Sequence, residues 1–195
     1  MSAFTKRIIV TLFCLSVPLF AWSRAIEQKD AKVLVVYYSR EGHTKLVAEK
    51  LAQIFNADLE QLIDKKKRTG PIGFSGAGKD AVAGNLTSLE PLKRNPQDYD
   101  IILIGTPSWF GNVTPAVRAF IKENNLSGKR VGLFGTAHLT GVENALKQAA
   151  ELIRKDDPEN IPTLPLRHRD LPERILAKKV QSFYAAVMQK TAAIR

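Results

Sequence analysis

Two short segments of this sequence carry residue types better suited to holding a ligand than to filling a core. The first is Ser39-Arg40-Glu41-Gly42-His43-Thr44, between a β-branched run and an amphipathic one. Open amide N–H groups at a helix start, the positive end of the helix dipole and the hydroxyls of Ser39 and Thr44 suit an anion such as a phosphate. The dipole adds about 0.3–1 kcal/mol to such an interaction. The same residues also suit an ordinary strand-to-helix turn, with Gly42 at positive φ and Thr44 as a cap. The second segment runs Gly105-Thr106-Pro107-Ser108-Trp109-Phe110-Gly111-Asn112 and on to Val113-Thr114-Pro115. Two aromatics, a glycine and an amide there allow a flat ring to be stacked and its edge hydrogen-bonded. The alternative for Trp109 is a surface or interface aromatic. A third short loop, Gly135-Thr136-Ala137-His138, adds one histidine, which either meets a ligand or is solvated.

The elements that must position these loops alternate. Lys32 to Tyr38 is continuous and β-branched, as in a strand buried on both faces, and Ile101 to Ile104 and Val131 to Phe134 read the same way. Asp58 to Ile63 suits a short strand, and Ile161 to Leu166, interrupted by Pro162 and Pro165, suits an edge strand. Between them lie helical patterns: Leu46 to Phe55 with Val47, Leu51 and Ile54; a helix from about Pro115 with Val117, Phe120 and Ile121; a stripe of Val142, Ala145, Leu146 and Ala149; and a last helix with Leu176, Val180, Phe183, Tyr184 and Val187. Thr114 before Pro115 is an N-cap candidate, Thr140 with Glu143 reads as a capping box, and Asp170 with Glu173 opens the last helix. Five strands alternating with helices imply an α/β fold, a parallel sheet with helices on both faces. Ligands then sit beyond the carboxyl ends of the strands, at the loops after Tyr38, Ile104 and Phe134. One long irregular stretch, Asp64 to Gln97, remains, and no internal repeat is evident.

The two loops together resemble the flavodoxin family, whose phosphate loop runs Ser/Thr-x-Thr/Ser-Gly-x-Thr and whose flavin loop in many relatives reads Gly-Thr-Pro-x-Trp-Phe/Trp-Gly-Asn. The resemblance covers about Lys32 to Lys190 and implies a flavodoxin-like domain over residues 31–190. The implied fold has three layers around a five-stranded parallel sheet of order 2-1-3-4-5. It also implies FMN as cofactor, with Ser39 to Thr44 around the phosphate, Thr106 to Asn112 against the isoalloxazine, Ala137 and His138 beside it, and a Gly111 peptide at the ring edge. Three features depart from the family pattern. Glu41 stands where a hydroxyl is usual, the third loop lacks the tyrosine that many small flavodoxins place over the flavin, and the chain is basic where low-potential carriers are acidic. The stretch Gly70 to Gly84 resembles a segment that forms a short helix near the flavin site in some of these proteins.

Composition agrees with a folded domain: 195 residues, 45% apolar and 25% charged, with a formal net charge of +10. Lys6 and Arg7 are the only charged residues in 1–23, so +8 stays with the remainder. Those two precede the apolar run Ile8 to Trp22, and Ala21-Trp22-Ser23 suits cleavage before Arg24, the pattern of an export signal, with an uncleaved anchor as the alternative. Cys14, the only cysteine, lies in that run, so the mature chain has no disulfide, cysteine nucleophile or thiolate metal site. Gly73 to Lys79 has the spacing of a nucleotide-binding P-loop, but Asp80 replaces the magnesium-binding hydroxyl and a basic run, Lys65 to Arg68, replaces the strand.

The sequence therefore predicts an FMN-binding electron-transfer protein or oxidoreductase, with no catalytic side chain and no metal. Expected partners are a redox protein or a small donor or acceptor such as NAD(P)H or a quinone, with peripheral contact to an anionic membrane through the basic surface and no nucleic acid. The alternative is a flavodoxin-fold binding module that has lost FMN, for which Glu41 is the best support.

Overall fold

In the computed structural model, residues 31–66 and 70–189 are described, and for 70–75 the backbone alone. The export signal read at residues 1–23, Cys14, and Lys67 and Arg68 of the basic run lie outside these residues. Five strands form one parallel sheet: β1 (Val33–Tyr37), β2 (Asp58–Gln61), β3 (Ile101–Pro107), β4 (Arg130–Ala137) and β5 (Thr163–Arg167), in the order β2-β1-β3-β4-β5. The expected fold class and strand order are both present. The order reverses between β1 and β3, whose carboxyl ends pair Tyr37 with Gly105. A crevice must open there, because the following helices leave to opposite faces.

The helices are α1 (His43–Phe55), α2 (Gly70–Val82), α3 (Pro115–Glu123), α4 (Val142–Ile153) and α5 (Glu173–Gln189). Strand alternation sorts the core into two layers. Val33, Val35, Ile101, Leu103 and Phe134 meet α1 and α5, whereas Leu34, Val36, Ile102, Ile104 and Leu133 meet α2, α3 and α4. Both faces being covered explains the uninterrupted apolar runs of β1 and β3. Pro165 sits in β5, which pairs only with β4, so its missing N–H breaks no ladder within the sheet. Among the described residues, no helix is long and apolar enough to cross a membrane.

Several local expectations are corrected. Helix α1 begins at His43 rather than Leu46, because Gly42, at φ 91°, turns the chain directly out of the strand loop. The Thr140–Glu143 capping box does not form: Gly141, at φ 86°, holds the cap position without a side-chain bond, and the Glu143 carboxylate pairs with Arg167. Thr114 does precede α3, but its hydroxyl bonds Thr106 at 3.2 Å instead of capping. The stretch from Asp64 to Gln97 is not irregular throughout, since α2 lies within it and Asp64 bridges Leu89. The P-loop-like residues Gly73 to Lys79 belong to this helix. Buried Arg118 of α3 reaches the far end of α2, donating to Ala81 O and Asn85 O, and burial pulls its pKa down. Asp170 stands not in α5 but in the 3-10 turn His168–Asp170 that precedes it.

A Cβ on Gly105 would lie 2.2 Å from the ring of fully buried Phe134, so Gly105→Ala should lower stability by about 1–3 kcal/mol in urea unfolding, and Phe134→Leu in the same chain should recover part of the loss. Burial opposes ionisation of Asp170, but the Arg167 N–H at 2.8 Å and Lys179 at 3.2 Å outweigh it and hold its pKa below the ordinary value. A depressed carboxyl contributes stability above its unfolded pKa and loses it as pH falls through the folded one. Asp170→Asn should therefore cost about 1 kcal/mol at neutral pH, with the difference from the parent shrinking below about pH 4.

Candidate functional site

The crevice at the β1/β3 reversal is a cavity of about 340 Å³, within the range of small-molecule sites. Its first wall is the loop after β1. Gly42 carries no side chain, no other side chain caps α1, and the first turn contains no acid, so its N–H groups stay available to an anion. The Ser39 hydroxyl accepts from Gly42 N at 3.2 Å and holds the loop closed. The buried Thr44 hydroxyl lies 2.8 Å from that of Thr136, tying the head of α1 to the end of β4.

Charge on this wall is paired. Arg40 hydrogen-bonds the Glu41 carboxylate, which this bond holds below the ordinary carboxyl range, with smaller contributions from nearby His43 and His138. The guanidinium also lies over the Trp109 ring, 5.4 Å from its centroid, a cation–π distance. Glu41 is thus anionic at neutral pH, with Arg40 as its counterion. Lys45 lies 3.8 Å from Glu49 instead.

The second wall follows β3, which extends through Thr106 and Pro107 before turning. Trp109 and Asn112 exchange two backbone hydrogen bonds of 3.0 Å, with Phe110 at φ 51° and Gly111 at φ 75° between them. Positive φ at both central positions is the requirement of a type I′ turn. Helix α4 holds the turn from outside. Asn144 donates to Gly111 O at 2.7 Å, Gln148 donates to Asn112 Oδ1 at 2.8 Å, and the Ser108 hydroxyl donates to Gly141 O at 3.0 Å. Trp109 is 8% exposed, and its ring stands perpendicular to that of Tyr38 with centroids 5.6 Å apart. Phe110 is 70% exposed, and its ring lies against Gly78 of α2, where a Cβ would come within 2.4 Å.

Of the residues singled out in the sequence, Ser39, Arg40, Glu41, His43 and Thr44 line the cavity from the first loop, and Pro107, Ser108, Trp109, Phe110, Ala137 and His138 from the others. Gly42, Thr106, Gly111 and Asn112 do not line it. Thr106 is buried, and its hydroxyl lies 3.3 Å from Thr114 N, closing the base of the loop. The Gly111 carbonyl is taken by Asn144, and Asn112 serves the turn by donating to Phe110 O at 2.7 Å. Sequence reading missed Ala77, Gly78, Thr136, His168 and Leu171, which complete the lining. Ala77 and Gly78 lie within the segment likened to a helix near the flavin site and Thr136 within the third loop, whereas His168 and Leu171 carried no signal.

No family model matches the chain. Solved structures do. A flavoprotein of Lactobacillus acidophilus in complex with FMN is 20% identical, with a TM-score of 0.61 over 80% of this chain and 99% of that one. Oxidised flavodoxin 2 of Bacillus cereus is 19% identical, with a TM-score of 0.53 over 82% of this chain and 99% of that one. A flavodoxin of Fusobacterium nucleatum bound to flavin mononucleotide is 11% identical, with a TM-score of 0.55 over 83% and 99%. With the strand order and the position of the cavity, these likenesses establish that the chain has the flavodoxin-like fold.

Proposed function

We propose that this protein binds FMN in the crevice between the loops after β1 and β3 and uses it to transfer electrons. The observation that carries the proposal is the coincidence, on one cavity, of an uncapped helix start and a tryptophan-bearing type I′ turn. The first suits a phosphate and the second a flat ring. FMN complexes among proteins of the same fold support the choice of ligand.

In this reading the α1 first-turn amides and the hydroxyls of Ser39 and Thr44 hold the phosphate. Trp109 gives the ring an apolar surface and keeps water off it. Phe110 and His138 stand at the mouth. Bound FMN would supply hydride or single-electron chemistry, and the chain supplies orientation and charge. The donor or acceptor is a redox protein or a small molecule such as NAD(P)H or a quinone. A basic surface favours anionic encounters, with an acidic protein or an anionic membrane. Export after removal of residues 1–23 is part of the proposal.

Purified protein should show flavin bands that survive dialysis and leave on acid precipitation. A colourless chain that leaves the fluorescence of added FMN unquenched would overturn the reading and favour a binding module without flavin. Trp109→Ala should weaken FMN by roughly three- to tenfold and relieve quenching, while Trp109→Phe retains most of the affinity. Unchanged affinity and emission in Trp109→Ala would remove this turn from the site.

Glu41→Thr tests the first wall. Removing the carboxylate frees Arg40 and adds a hydroxyl donor, so FMN should bind roughly three- to tenfold tighter, less so at high salt. Riboflavin, which lacks the phosphate, should bind parent and variant alike. An equal gain for riboflavin would mean that Glu41 acts on the loop rather than on charge.

A further inference from the structure

The free edge of the sheet carries a second concavity, separate from the crevice. Strand β5 pairs only with β4, and α5 runs beside its open side, so that the two enclose a groove of about 940 Å³. One flank of α5 is engaged with α1, where Tyr184 meets Phe55 and Glu173 bonds Lys50. The other flank presents Arg174, Lys178 and Lys179 to the groove, and no acidic residue lines it. Lys179 lies 3.2 Å from Asp170, but Arg174 and Lys178 are exposed and have no ion-pair partner among the described residues. Beside them Ile175 is 43% exposed, and Ser182 and Ala186 continue the same lining with small side chains. Nothing in the packing of the fold uses these two cations.

We propose that this groove docks an acidic, extended segment of a partner protein, with carboxylates on Arg174 and Lys178 and apolar side chains toward Pro165 and Ile175. The spacing fits such a segment. Arg174 and Lys178 are one turn apart, a rise of about 6 Å, and alternate side chains of an extended chain repeat at about 6.6 Å. Acids at every second position therefore meet successive cations, while the residues between them point the other way, toward β5. Ordinary strand addition is blocked on this edge, because Pro165 has no N–H and that of Arg167 is held by Asp170 at 2.8 Å. Contact must come through side chains. A bilayer surface is flat and cannot enter a groove, and a second copy of a chain with net charge +10 brings cations to cations. The groove shares no lining residue with the crevice, yet Leu171 lines one and Pro172 the other, so a docked partner stands beside the crevice mouth.

The proposal rests on the anionic encounter proposed above and is independent of flavin binding. The test titrates the full-length, tag-free chain into a fluorescein-labelled peptide of alternating aspartate and leucine at about 50 mM salt and follows anisotropy. Binding should saturate with a Kd of about 10–100 μM, and an isomer with all its aspartates in one block should bind at least threefold more weakly. Arg174→Glu/Lys178→Glu should weaken the alternating peptide at least tenfold and Arg174→Gln/Lys178→Gln roughly three- to tenfold, with circular dichroism and Tm matching the parent. The pair Lys122→Glu/Lys155→Glu, which changes net charge equally on exposed residues outside the groove, should stay within about twofold of the parent. No saturable binding below about 1 mM, or no preference between the isomers, overturns the proposal. An equal loss in the distant pair also overturns it while leaving a general anionic encounter standing. Sedimentation with phosphatidylcholine vesicles containing about 30% phosphatidylserine supplies the other arm: vesicle binding that Arg174→Glu/Lys178→Glu abolishes, without peptide binding, overturns the protein partner in favour of a membrane. Flavin absorbance in the same samples reports separately on the crevice.

Discussion

The uncapped first turn of α1 is the constraint around which this end of the molecule is arranged. A helix start normally satisfies its first N–H groups with a side chain or with water. Here Gly42 has no side chain to offer, the first turn has no acid, and the Ser39 hydroxyl is occupied on Gly42 itself. The donors therefore face the crevice. Their position is fixed because Thr44 is bonded to Thr136 at the tip of β4, while Tyr38 N donates to Gly105 O at the tip of β3. Three strand ends and one helix start thus form a single rigid rim, and an anion reaching it meets donors already in place.

The opposite wall follows the reverse rule. Its turn leaves little of its backbone open: Trp109 and Asn112 bond each other, Asn144 takes the Gly111 carbonyl, and Asn112 takes that of Phe110. A non-glycine residue at positive φ costs of order 1 kcal/mol or more, so Phe110 at φ 51° persists because its surroundings hold it. Gly78 permits the ring to lie directly on α2, and buried Arg118 secures the far end of that helix. The rigidity of the turn comes from α4 and α2, elements distant in sequence from the residues they support.

This distance explains what could be read from the sequence. Continuous apolar runs at β1 and β3 report burial on both faces whatever the partners, and the two loop motifs are contiguous, so the fold and most of the cavity lining were legible. Capping was not. Thr140 and Glu143 have the spacing of a capping box, yet Arg167, arriving on β5, draws off the Glu143 carboxylate and Gly141 takes the cap. Gly111 and Asn112 carry family-like identities, but whether a polar atom faces the cavity or the scaffold depends on Asn144 and Gln148, more than thirty residues away. His168 enters only through strand order, as does the bond of Thr136 to Thr44, and the grouping of His43, His138 and His168 follows from the same topology.

The charge arrangement gives Glu41 a role different from simple repulsion. A carboxylate beside a helix start opposes an anion there only to the extent that its own charge is unbalanced. Its side chain is 62% exposed, where solvent screens strongly, and Arg40, 20% exposed, is bound to it. The pair is nearly neutral as seen from the α1 amides. Arg40 also lies over Trp109, so one guanidinium links the wall that follows β1 to the wall that follows β3. A ligand with both a phosphate and an aromatic ring competes for Arg40 at its two ends, drawing it from the carboxylate and from the indole. Glu41 therefore sets the cost of moving Arg40 rather than closing the loop to anions, and its influence falls mainly on the charged end of a ligand.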